Sequence, residues 1–210
     1  NASNVVDFEL SRPLLFRDDM QEAFFRWFGI GGSSRVVDGG CGPGVLTRFI
    51  ARGLDGGHVT GFDISPHFVE YGNQKIREEG LESRANIVRE DGFALTFANG
   101  TFDAAVGHTY LGVLSDRDQG LRELIRVVKP GGTVAASVSI GDAPAISWPG
   151  ERPYPGQARL DELLGRYRAA YRAIYTSAEL HQDENWSFTR YPRLFQVCGL
   201  QDVSLHPYAS

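Results

Sequence analysis

Apolar positions along this chain change period several times, and the changes divide it into elements. Met20, Ala23, Phe24, Trp27 and Phe28 recur every three or four residues, the spacing of one helix face. They predict an N-terminal helix within residues 12–30 that ends near Gly29, after a loosely ordered first dozen residues. From Arg35 onward, short apolar runs alternate with amphipathic stretches. Strands are predicted at Arg35–Asp38, His58–Asp63, Ala85–Arg89, Phe102–Val106 and Thr133–Ser139. Helices between them carry Val45, Leu46, Phe49 and Ile50, then open at Ser65-Pro66, then carry Leu121, Leu124, Ile125 and Val128. Ser65 is a good N-cap and Pro66 a good first-turn residue. The last of these helices stops at Lys129-Pro130-Gly131-Gly132.

Such alternation predicts an α/β fold with a doubly wound, mostly parallel sheet and helices on both faces. The rhythm breaks at residues 141–193. A Pro/Gly-rich stretch, Ala143–Gly156, leads into a helix with Leu160, Leu163, Leu164, Tyr167, Tyr171 and Ile174 on one stripe. This reads as a helical insertion over the carboxyl ends of the strands, where open α/β sheets place their ligands. Residues 194–210 complete the pattern with a short helix around Leu194 and a sixth strand at Asp202–His206. The whole of 1–210 is expected to be one domain, with residues 35–140 as its ligand-binding core.

Composition narrows the function classes. Hydrophobic residues make up 42% and charged residues 22% of the 210, which fits one substantial soluble core. With 21 basic against 26 acidic residues the net charge is −5, so no global basic field exists to hold a nucleic acid. No signal peptide and no apolar run long enough to span a bilayer is evident. The two cysteines, Cys41 and Cys198, have no metal-like spacing, and a reducing cytoplasm is the expected location.

The candidate chemistry centres on Asp38-Gly39-Gly40-Cys41-Gly42-Pro43-Gly44, between a predicted strand and a predicted helix. A phosphate-binding loop needs Gly-Lys-Ser/Thr at its end, but Gly44 is followed by Val45-Leu46-Thr47. A dinucleotide fingerprint wants a different glycine spacing, and Pro43 removes one backbone donor that a pyrophosphate would use. No Lys or Arg occurs from Asp38 to Thr47, which suits a ligand carrying positive charge.

The run Asp38-x-Gly40-x-Gly42-x-Gly44 resembles the first motif of the Rossmann-like (class I) S-adenosylmethionine-dependent methyltransferases. The likeness continues in order through Asp63, Asp91-Gly92-Phe93, Phe102–Gly107 and Leu121–Val134, so it covers about half of the chain. It implies methyl transfer from S-adenosyl-L-methionine to a small-molecule acceptor, with S-adenosyl-L-homocysteine as product. It also implies cofactor contacts from Asp38, Gly39, Gly40, Cys41, Gly42 and Gly44. Further contacts would come from Asp63 at the ribose, from neighbouring Ile64, from Asp91, Gly92 and Phe93 at the adenine, and from the stretch Gly107-His108-Thr109-Tyr110 beside the transferable methyl. The seventh strand of many family members is expected to be missing.

Several alternatives stay open on sequence alone. Asp38 is either a support for the methionine end or a brace for the loop. Asp91 is also a good turn residue. His108 is either a general base or a wall of the cofactor pocket. Arg12 and Arg17 are candidates for the methionine carboxylate. Only Asp142 lies where metal-dependent relatives hold Mg²⁺, so no metal is expected. Trp148, Tyr154, Tyr167, Tyr171, Tyr175 and Trp186 offer aromatic area to roof an apolar or cationic acceptor. A free sheet edge invites pairing, so a dimer is one way to cover it. Two rival functions are a non-catalytic S-adenosylmethionine-binding or regulatory protein and, disfavoured by the glycine spacing, a nicotinamide-dependent oxidoreductase.

Overall fold

Val36 and Val37 are neighbours in sequence, yet each is fully buried in a different core. Successive strand side chains point to opposite faces, so this split requires a sheet covered on both sides. The computed structural model of the protein describes residues 2–137, 159, 162, 166 and 191–206. Strands β1 (Arg35–Gly39), β2 (His58–Asp63), β3 (Ala85–Arg89), β4 (Phe102–His108) and β5 (Val128–Ser137) form one sheet. It is parallel throughout, in the order β3-β2-β1-β4-β5. The strand order reverses between β1 and β4, the switch point where such sheets open a crevice at their carboxyl ends.

The helices are α1 (Ala2–Ser11), α2 (Gln21–Phe28), α3 (Val45–Gly53), α4 (Pro66–Glu78), α5 (Tyr110–Val113), α6 (Arg117–Val127) and α7 (Tyr191–Val197). Phe24 and Phe28 of α2, Phe49 and Ile50 of α3 and Ile76 of α4 pack on one face with Val36, Val59 and Val106. Leu111 of α5, Leu121 and Leu124 of α6 and Leu194 of α7 pack on the other with Val37, Phe62 and Ala105. Ser65 caps α4 as expected, its hydroxyl accepting the Phe68 N–H at 3.4 Å. No described helix is long and apolar enough to cross a membrane.

The N-terminal segment departs from the sequence pattern. The first dozen residues, expected to be loose, contain α1, and the single helix expected within 12–30 is divided. Two 3-10 turns, Arg12–Leu14 and Asp18–Met20, precede α2. Pro13 accounts for the break, since it donates no N–H and restricts the residue before it. The segment is anchored by Phe16, whose ring lies 5.7 Å from Phe24 and 5.8 Å from Phe49. Burying one such ring contributes roughly 1.5–3 kcal/mol. Gly29 ends α2 in the left-handed conformation at φ 65°, as the glycine there suggested.

Two further differences lie in the last strands. Residues 129–132, read as a helix stop, lie within β5 instead, at a register shift between Phe102/Val128 and Ala104/Thr133. Asp202–His206, expected as a sixth strand, is not a strand. Asp202 takes a left-handed φ of 52°, and the His206 ring stacks on Trp27 at 5.6 Å. The alternation of Val203 and Leu205 mimicked a strand, but a positive φ at Asp202 breaks an extended backbone. The helix expected around Leu194 is α7. Most of the insertion, 138–158 and all of 160–190 except 162 and 166, lies outside the described residues, and its aromatic roof with it.

Candidate functional site

β1 ends in the glycine loop. Gly40, Gly42 and Gly44 all have positive φ (59°, 55° and 81°), which side chains of L-residues rarely adopt. Space adds a second constraint at two of them. A Cβ on Gly40 would stand 2.6 Å from the Tyr110 ring, and one on Gly44 2.4 Å from Ile87 Cδ1. At Gly42 a Cβ would meet nothing within 4 Å, so only the backbone demands glycine there.

The loop is tied on one side to the end of β2. The Cys41 N–H donates to the Phe62 carbonyl at 2.9 Å, and the Gly42 N–H to Asp63 Oδ2 at 3.0 Å. Asp63 Oδ1 accepts the Ser65 N–H at 2.9 Å. Two backbone donors therefore fix the carboxylate's plane, and a carboxylate still has further lone pairs to offer.

On its other side the loop is held by a residue that the sequence reading missed. Arg48, on α3, is buried and donates to the Pro43 carbonyl at 2.9 Å. The same guanidinium donates to both oxygens of Glu9 at 3.0 and 2.8 Å, and its Nε lies 2.7 Å from Glu79 Oε1. A buried cation is tolerated only with such partners. The available signal was an arginine on the apolar face of α3, between Leu46 and Phe49.

Beneath the loop, Asp38 is buried and accepts the Thr47 hydroxyl at 2.7 Å. Burial raises its pKa to about 7, the Thr47 bond opposes this, and Asp63 adds to it. Burial also pushes the Cys41 thiol well above its usual range, with Asp38 and Asp63 contributing, so Cys41 stays a thiol.

A cleft of about 390 Å³ opens between the loop and the ends of β2 and β3. Six of the expected residues line it: Gly40, Asp63, Ile64, Asp91, Gly92 and Phe93. Ile64 is a large apolar side chain left 62% exposed on the cleft wall. Asp91 Oδ1 accepts the Phe93 N–H at 2.9 Å, which shapes the turn as its turn propensity suggested. Glu90 adds a third carboxylate, and no Lys or Arg occurs among the described lining residues.

Asp38, Gly39, Cys41, Gly42, Gly44, His108 and Thr109 stand outside that lining. The buried side chain of Tyr110, from the stretch just past β4 expected beside the methyl, forms the cleft's inner wall with Phe62, the two rings 5.7 Å apart and perpendicular. Its hydroxyl donates to the Gly92 carbonyl at 3.3 Å, and a Cβ on Gly92 would stand 2.1 Å from that hydroxyl. Only the adjacency of Tyr110 to the β4 end signalled it. Val113 and Leu114 continue the same wall.

At the end of β4, His108 Nδ1 lies 2.6 Å from Ser137 Oγ, and Phe16 meets the imidazole edge-on at 5.1 Å. Burial lowers the His108 pKa to about 3, with Arg12 adding to the effect. A general base works best with a pKa near the operating pH, so this imidazole is poorly poised to take a proton. Thr109 has a left-handed φ of 58°, held by its N–H bond to the Ser137 carbonyl at 2.7 Å. A non-glycine residue kept there stores local strain, which often marks a functional turn.

Fold and site together define a Rossmann-like α/β protein with an acidic cleft at the carboxyl end of its sheet, without Lys or Arg among the described lining residues. Over residues 36–132 the chain matches the family described as methyltransferase domain. It is 33% identical over 186 residues to methyltransferase GfsG of Streptomyces halstedii, covering 89% of this chain and 59% of that protein. It is 28% identical over 156 residues to the ubiquinone/menaquinone biosynthesis C-methyltransferase UbiE of Vibrio parahaemolyticus, covering 71% of this chain and 59% of that protein. These matches span about three-fifths of each of those two relatives. Among solved structures, the [4+2]-cyclase SpnF is 28% identical with a TM-score of 0.55, over 64% of this chain and 49% of that one. A Methanococcus maripaludis protein provisionally described as an S-adenosyl-L-methionine-dependent methyltransferase shares the fold at a TM-score of 0.67 and 20% identity. That superposition covers 94% of this chain and 83% of the other. The chain thus carries a methyltransferase-domain match over residues 36–132 on the Rossmann-like fold of S-adenosylmethionine-dependent methyltransferases.

Proposed function

We propose that this chain transfers the methyl group of S-adenosyl-L-methionine to a small-molecule acceptor through a nitrogen, oxygen or carbon nucleophile. One observation carries the reading. The Asp63 carboxylate, oriented by Gly42 and Ser65, stands in a cleft whose described lining has carboxylates and no cationic side chain. Such a site suits a nucleoside with a vicinal diol and net positive charge, and does not suit a pyrophosphate.

When bound, S-adenosyl-L-methionine supplies an electrophilic methyl group on a sulfonium. The chain's own residues bind and align it. Asp63 accepts the ribose hydroxyls with its remaining lone pairs. Ile64 and Phe93 flank the adenine, and Asp91 accepts from its amino group. Asp38, beneath the glycine loop, supports the cationic methionine end. Thr109 and His108 line the methyl-facing side, with His108 a neutral wall. In-line displacement gains most from such alignment and from exclusion of water.

The likeness to SpnF favours one other reading, in which the same fold serves a reaction that transfers no methyl group. Incubation with S-adenosylmethionine labelled at the methyl carbon and a panel of small acceptors separates the two. Methyl transfer produces S-adenosylhomocysteine and a labelled acceptor, read by mass spectrometry. Binding of the cofactor without either product across the panel favours the second reading.

A further inference from the structure

The glycine loop has two handles, and they come from different parts of the chain. Asp63 takes the Gly42 N–H, while Arg48 takes the carbonyl of the next residue, Pro43, at 2.9 Å. That carbonyl is tightly enclosed, since a Cβ on Gly72 of α4 would stand 2.9 Å from it. Its position therefore follows the position of the guanidinium. The guanidinium in turn is placed by two carboxylates, Glu79 just past the end of α4 and Glu9 of α1. Glu79 is also shared with Arg52 at 3.0 Å, whereas Glu9 receives two bonds from Arg48 alone. Arg48 is 5% exposed and Glu9 only 22%, so this pair is shielded from the screening that weakens surface ion pairs.

From this we infer that Arg48 is a positioning residue that couples the docking of α1, through Glu9, to the shape of the glycine loop and so to cofactor affinity. The inference rests on the cofactor reading of the cleft given above. Its physical basis is that a fork of fixed donors serves the Pro43 carbonyl and Glu9 together, while Glu79 offers ion pairing on a third side. If Glu9 withdraws, the guanidinium must re-aim toward Glu79 or water, and the Pro43 carbonyl loses its fixed donor. Linkage makes the effect reciprocal: a ligand that needs the ordered loop must also favour docked α1. α1 has independent apolar anchors in buried Val5 and in Phe8, whose ring meets Phe68 at 5.8 Å. Loss of the Glu9 charge therefore weakens the coupling without removing the helix.

The test is amide hydrogen exchange of residues 2–11, with and without saturating S-adenosylhomocysteine, beside calorimetric Kd values. The proteins compared are wild type, Glu9→Gln and Arg48→Lys. In the wild type the ligand slows exchange across α1. In Glu9→Gln that slowing is lost and Kd rises about tenfold, a usual size for coupling between sites. Arg48→Lys behaves alike, because an ammonium keeps the charge but not the fork. Should Arg48→Lys fail to fold, Glu9→Gln carries the test alone, since Glu9 is on the rim of the network. A purely structural role would lower the melting temperature yet leave ligand-induced protection of α1 intact, and that result overturns the coupling. So does a Glu9→Gln protein with wild-type Kd. Wild-type protein with no affinity for S-adenosylhomocysteine removes the cleft reading and the coupling together, whereas tight binding without α1 protection removes the coupling only.

Discussion

Gly42 donates its N–H to Asp63 Oδ2 at 3.0 Å, so the loop after β1 and the carboxylate at the end of β2 form one unit. The parallel register already sets the two strand ends side by side, pairing Gly39 with Phe62. Asp63 is therefore a brace for the loop and, in the proposed function, a ligand group as well. Asp63→Ala is expected to weaken S-adenosylhomocysteine binding by at least tenfold, matching the roughly 1.5–3 kcal/mol of hydrogen bonds to a charged group. Calorimetric titration measures this, with circular dichroism to show that the fold persists.

The glycines of the loop are not equivalent. Gly40→Ala meets both a left-handed φ and the Tyr110 ring, 2.6 Å from the new Cβ. Gly42→Ala meets the φ alone, at a cost of about 1–2 kcal/mol. Thermal denaturation should show the larger loss for Gly40→Ala, and that protein should also lose more of its ligand affinity. Equal losses would contradict the packing of Tyr110 against the loop.

Asp38 predicts a pH dependence of binding. Its pKa is raised to about 7 in the folded protein, so below that pH it is mostly neutral. A cationic ligand favours the carboxylate form, and binding then releases a proton. Affinity for S-adenosylmethionine should accordingly rise from about pH 6 to pH 8 and level off above. The stability contribution has the opposite sign. It is full below the ordinary carboxylate pKa of 3.8 and fades as pH rises through about 7. Asp38→Asn should flatten the affinity profile.

His108 shifts the other way, from an ordinary 6.5 to about 3. The unfolded chain binds the proton more readily, so stability falls as pH drops from about 6.5 toward 3. Urea denaturation at pH 4, 5 and 7 should show this slope in the wild type and a shallower one in His108→Phe. With an acceptor in hand, His108→Phe should keep turnover within about tenfold, because loss of a true general base costs 10²–10⁴.

Much of the fold is legible in the residues. β2 and β3 are read to their end residues, because turn residues such as Gly56-Gly57 bound β2 and apolar positions fill both strands. α1 was not legible, since ASNVVDFELS carries no clear apolar stripe and its contacts, Glu9 with Arg48 and Phe8 with Phe68, are to residues distant in sequence. Asp202–His206 misled for the same reason: its contact with Trp27 is tertiary, and alternation alone cannot reveal it. In the site, Gly40 and the strand-end acids Asp63 and Asp91 line the cleft, while the other expected loop residues stand outside its lining. Arg48 went unread, because it acts through a backbone carbonyl, which sequence patterns do not display.

Calorimetric titration of the purified chain with S-adenosylmethionine, S-adenosylhomocysteine and a nicotinamide dinucleotide tests the central claim most directly. The first two should bind one per chain, with affinity lost in Asp63→Ala, and the dinucleotide should give no heat of binding. A dinucleotide that binds while both sulfur nucleosides do not would contradict the account.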